Sequence, residues 1–79
     1  MIVEKVRNQV KRRKLPIGEI RKLAESPENV ESVDEHNYVA KKVYYDKKLK
    51  RKMLLIIVYE ERKESRRVYS AYKMDIIEN

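Results

Sequence analysis

Five side chains that can hold phosphate or move protons fall within eight residues near the end of the chain: Arg66, Arg67, Tyr69, Tyr72 and Lys73. In an extended strand alternate residues share a face, which sets Arg67, Tyr69 and Lys73 together. Tyr72 joins them if a bulge turns it to that side. Metal-free RNA cleavage needs a base for the 2′-hydroxyl, cations for the developing phosphorane charge and an acid for the leaving 5′-oxygen. Arg, Lys and Tyr can divide those roles. Arg67 would hold phosphate charge, and Tyr69, Tyr72 or Lys73 would handle protons, leaving a 2′,3′-cyclic phosphate.

Two basic runs point to an anionic partner. Lys11, Arg12, Arg13 and Lys14 close a first helical stretch, and Lys47, Lys48, Lys50, Arg51 and Lys52 crowd a later connection. Like charges this dense repel unless something anionic neutralises them, and phosphates would. Plainer readings stand beside this one. Cations suit a helix C-terminus, and lysines guard an exposed strand edge. A charged fraction of 42% also resembles a heat-adapted surface laced with ion pairs.

The net charge of +7 is uneven: residues 1–27 hold eight basic and three acidic side chains, and 37–52 hold seven and one. All six aromatic residues are Tyr, at 38, 44, 45, 59, 69 and 72. A Tyr in a strand is half-buried packing more often than a stacking platform, yet its ring and hydroxyl suit unpaired bases and phosphate.

Other chemistries lack their residues. Gly18 is the only Gly, so neither a P-loop nor a dinucleotide-binding fingerprint can form. With one His and no Cys there is no basis for a zinc site or a thiol nucleophile, and no metal or cofactor is expected. His36 reads as an exposed loop residue. A chain of 79 residues buries only about 60–65% of its unfolded surface, so chemistry must sit on a face or in a shallow groove.

The elements that position these residues follow from periodicity. Ile2, Val3, Val6 and Val10 mark an amphipathic helix over 2–13, and Ile17, Ile20, Leu23 and Ala24 a second over 17–25, with Pro16 in its first turn. Ser26 before Pro27 stops it. The period then changes to two. A short strand is expected at Val30 to Val33, another at Asn37 to Tyr45, and a hairpin connection at Asp46 to Lys50. Met53 to Tyr59 is apolar on both faces, which marks a central strand covered on both sides, in part by a partner or a second copy. Glu60 to Ser65 reads as a charged turn and Arg67 to Met74 as the last strand, with Val68, Ser70, Tyr72 and Met74 opposite Arg67, Tyr69, Ala71 and Lys73. The tail Asp75 to Asn79 is expected to fray. The result is one α+β domain over 1–79, two N-terminal helices packed on a three- to four-stranded antiparallel sheet. Early charges preclude a secretory signal and the longest apolar run is too short for a bilayer, so a cytoplasmic protein is expected.

The helix–helix–sheet order, with the stretches Gly18 to Val30, Asn37 to Lys42, Leu54 to Glu60 and Val68 to Lys73, resembles small proteins of the RelE/BrnT-like toxin superfamily across nearly the whole chain. The resemblance implies a metal-independent endoribonuclease acting on mRNA, free or on ribosomes, with an antitoxin partner covering its site. It also implies catalytic residues in the closing strands, where Arg66 or Arg67 and Tyr69 or Tyr72 stand. Relatives often carry His and Arg on the first helix, and Lys5 and Gln9 occupy roughly those places here. The alternatives are a nucleic-acid-binding protein without catalysis on the same fold, and a protein-interaction module whose basic surface serves solubility.

Overall fold

The computed structural model describes residues 1–76. Helix α1 spans Glu4–Arg13 and α2 spans Ile17–Glu25. Four strands follow: β1 Glu31–Ser32, β2 Asn37–Asp46, β3 Arg51–Arg62 and β4 Ser65–Asp75. They form one antiparallel sheet in chain order, β1-β2-β3-β4. Both helices lie on the same side of it, so the expected two-layer α+β architecture is the one found. No helix among the described residues is long and apolar enough to cross a membrane.

The helices join the sheet through a narrow apolar stripe. Val6 from α1 and Ile20 and Leu23 from α2 are fully buried against Leu55, Ile57 and Val68. On the helix side of the sheet lie Tyr38, Ala40 and Tyr44 of β2, and Met53, Leu55, Ile57 and Tyr59 of β3. Ser26 ends α2 with a non-helical backbone, φ -135 and ψ 79, before Pro27. Pro16 sits one residue earlier than expected, as the N-cap rather than in the first turn.

Several boundaries differ from the sequence reading. Residues 1–3 are not helical: Val68 N–H donates to Met1 O at 2.8 Å and Val3 N–H to Val68 O at 3.1 Å. Ile2 thereby runs parallel to β4 at the sheet edge. β-branched Ile2 and Val3 fit that extended path at least as well as a helix. The charged stretch after Tyr59 is not a turn over Glu60 to Ser65. Strands continue through it, and only Lys63 and Glu64 turn the chain. Asp75 still pairs with Met53, so the strand outlasts the expected fraying point; Ile77 to Asn79 lie outside the described residues.

The largest correction lies in β4. Tyr59 pairs with Val68 and Val58 with Ser70, so Tyr69 is an extra residue, a β-bulge. Beyond it the alternation inverts. Val68 and Ala71 are both fully buried under the helices, although a regular strand would put them on opposite faces. Ser70, Tyr72 and Met74 face the open side, as Arg67 does before the bulge. Lys73 goes to the helix side, and the expected grouping of Arg67 with Lys73 does not occur.

Among the described residues no helix or strand covers the open side. The molecule is accordingly thin, with extents of 38 × 30 × 16 Å.

Candidate nucleic-acid interface

The basic residues sort into two populations once their partners are known. The helix-side cations of β4 serve the fold. Arg66 donates to the main-chain carbonyls of Ala24 and Glu25 at the end of α2 and pairs with Glu61 at 3.2 Å. Its guanidinium also lies 5.3 Å over the Tyr59 ring, which stacks on Tyr38. Lys73 donates to Lys14 O at 3.2 Å, at the end of α1, and to Asp46 Oδ2 at 3.0 Å. Each thus places a positive charge on orphan carbonyls at a helix C-terminus. Arg13 also turns to β4, its guanidinium 3.5 Å from Ala71 O. Gln9 is buried, and its Oε1 accepts the Ala71 N–H at 3.2 Å, sealing the edge of β4.

The second population is unpaired. Among the described residues Lys11, Arg12, Lys14, Lys47, Lys48, Lys50 and Lys52 make no ion pair, while Arg51 pairs with Asp75 at 2.8 Å. Four of these lysines meet. Lys11 and Lys14, at the end of α1, and Lys47 and Lys48, in the β2–β3 connection, line one open cleft of about 570 Å³. Val10, Leu15, Pro16 and Tyr44 line its apolar part, and Lys22 and Glu19 stand beside them. Arg12 points elsewhere into solvent, Lys50 forms the turn, and Lys52 lies on the open sheet face opposite Tyr45.

Asp46 holds the hairpin wall of this cleft. Its Oδ1 accepts the Lys48 and Leu49 N–H groups at 3.0 and 2.9 Å, and its Oδ2 accepts the Tyr44 hydroxyl at 3.2 Å. The Leu49 N–H and the Lys73 ammonium lead the contacts that hold its carboxyl down at about 2, against an ordinary 3.8. Burial, reinforced by that carboxylate, pushes the Tyr44 hydroxyl up to about 12. The folded state thus binds a proton at Asp46 less readily than the unfolded chain. The resulting stabilisation is intact above about pH 4 and lost as pH falls toward 2. Asp34 and Glu19 are also held low. Acid melting curves of the wild type and Asp46→Asn should therefore differ near neutrality and converge toward pH 2.

Of the residues expected to be catalytic, Arg67 is exposed on the open face opposite Glu60, and Tyr69 donates its hydroxyl to Asn37 Oδ1 at 3.0 Å. Tyr72 stands exposed on the same face, four β3 residues away in register, about 13 Å along the sheet. Lys73 is on the other side. The open face therefore holds phosphate-binding and stacking groups spread out, rather than an acid, a base and a cation around one point.

Comparison with protein-family models, with curated proteins and with solved structures finds no match to this chain. The fold is α+β, two helices on a four-stranded antiparallel sheet.

Proposed function

We infer that this protein binds nucleic acid through the phosphate backbone, using the cleft between the end of α1 and the β2–β3 connection. One observation carries the reading: four lysines from two runs more than thirty residues apart converge on one cleft with no ion pair among the described residues. A surface laced with ion pairs for heat resistance would have matched them with carboxylates, as it does Lys42 with Glu19 at 2.8 Å. Lysines of like sign around a groove lower their mutual repulsion by taking up a polyanion.

If the four lysines each meet one phosphate, affinity for a single strand should fall with a log–log salt slope of about −3. Between about 50 and 200 mM salt that is a loss of roughly 50-fold, readable by fluorescence anisotropy on a labelled oligonucleotide. A salt-independent affinity, or none, refutes the reading.

RNA cleavage of the RelE/BrnT-like kind is the second reading, favoured by the bulge that brings Arg67, Tyr69 and Tyr72 to one open face. It continues without Lys73 as a proton carrier. Binding without shortening of the RNA is the expected result of the same incubations. Chelator-resistant shortening that Arg67→Ala removes would replace binding alone with cleavage.

A further inference from the structure

Resting on that reading, we propose that the open face of the sheet is a platform for unpaired nucleobases, with Tyr45 and Tyr72 as its stacking rings. The six tyrosines divide by environment. Tyr38 and Tyr59 stack on each other, Tyr44 is buried on Asp46, and Tyr69 is tied to Asn37. Tyr45 and Tyr72 are 60% and 40% exposed, and neither hydroxyl has a hydrogen-bond partner among the described residues. Core packing accounts for Tyr38, Tyr44 and Tyr59, and the Asn37 hydrogen bond for Tyr69, which leaves these two unexplained.

The surroundings of the two rings suit a base and its phosphate. Lys52 is the register partner of Tyr45, and Lys41 shares the Ile56 row with Tyr72. Exposed Val43 and Met74, on either side of Leu54, give the ground between the rings an apolar surface. Every base has a π-face to lay on such a platform, so recognition would be tolerant of sequence. From the register the rings stand about 16 Å apart at the backbone. They would take bases separated along a strand rather than neighbours, and a duplex, whose bases are stacked on one another, could use neither.

Charge and continuity choose this occupant over a protein. Lys41, Lys52, Arg62 and Arg67 share the face with two acids, Glu31 beside Lys41 and Glu60 beside Arg62, so cations remain in excess and two copies laid face to face would bring them together. Tyr45 also lines the lysine cleft. A strand whose phosphates lie along Lys47 and Lys48 therefore reaches the first ring without leaving the surface.

The test uses the full chain and three probes at one salt concentration: an unstructured oligonucleotide as RNA and as DNA, a duplex of the same sequence, and inorganic polyphosphate. The variants are Tyr45→Leu and Tyr72→Leu, which keep the surface apolar, with folding checked by circular dichroism and association by sedimentation. Single-strand affinity should fall about tenfold for each ring, and duplex and polyphosphate affinities should hold. Equal losses on RNA and DNA assign the effect to the bases; loss on RNA alone assigns the contact to the 2′-hydroxyl instead and overturns stacking. Unchanged single-strand binding also overturns the platform while leaving the cleft reading intact. Polyphosphate that fails to bind removes the cleft reading itself. A wild-type dimer that the substitutions dissociate would make this face a protein interface and refute the proposal.

Discussion

Neutralising Lys11, Lys14, Lys47 and Lys48 together should lower single-strand affinity by on the order of 10³-fold at about 50 mM salt and 10²-fold at about 200 mM. The counterion-release contribution vanishes toward about 1 M salt, so wild type and variant should converge there, and the salt slope of the variant should approach zero. The substitutions matter in detail. Lys14 has φ 53, a left-handed conformation that Asn adopts at least strain, so Lys14→Asn serves there and Lys→Gln at the other three. The Lys14 carbonyl that receives Lys73 belongs to the main chain and survives the change. A matched control removes the same net charge elsewhere, at Lys5, Arg7, Arg21 and Lys63, which do not line the cleft and make no ion pair among the described residues. The control should keep most of the affinity and slope. If both variants lose equally, net charge rather than the cleft drives binding.

The halves of this cleft could be read in the sequence, but their meeting could not. Lys11 to Lys14 and Lys47 to Lys52 were visible as runs. Only the antiparallel path of β2 and β3 brings the second run beside the end of α1, and no local pattern encodes that distance. Within each run the sequence also could not tell working charges from structural ones. Arg13 turns to the Ala71 carbonyl and Arg51 to Asp75, whereas their neighbours stay unpaired.

Helix and strand identity followed from the change of period after Pro27, because the core stripe of each element is that period made physical. Turns were harder for a chemical reason. With Gly at position 18 alone, left-handed positions are filled by Lys14, Asn29, Lys50 and Lys63. Two tight connections are held instead by carboxylates, Asp34 accepting the His36 and Asn37 N–H groups and Asp46 those of Lys48 and Leu49. An Asp before a turn was the available signal. Tyr69 gave no sign that it would bulge, since any strand residue can be the extra one. That single residue moved Lys73 out of the expected site and to the end of α1.

Ile57→Ala should destabilise the protein severely, by about 2–5 kcal/mol. In register Ile57 lies between Ala40 and Ala71, all three fully buried beneath the helices. It is the only large side chain in that row, so truncation leaves three alanines in line and a void that neither flanking residue can fill. A chain of 79 residues has roughly 4–12 kcal/mol of total stability, so the loss approaches half of it. Urea unfolding should show the midpoint falling with little change in slope. Ile57→Val, which deletes one methylene, should cost about 0.5–1.5 kcal/mol. The neighbouring Ile56 makes the comparison decisive. In sequence the two residues are alike, within one run apolar on both faces, but Ile56 is on the open face between Lys41 and Tyr72. Although only 3% exposed, it is covered by neighbouring side chains of its own sheet face rather than by a packed layer of helices, and solvent can enter the space its truncation leaves. Ile56→Ala should therefore cost about 1 kcal/mol, well short of Ile57→Ala. Equal costs that grow with protein concentration would mean that a second copy covers the open face.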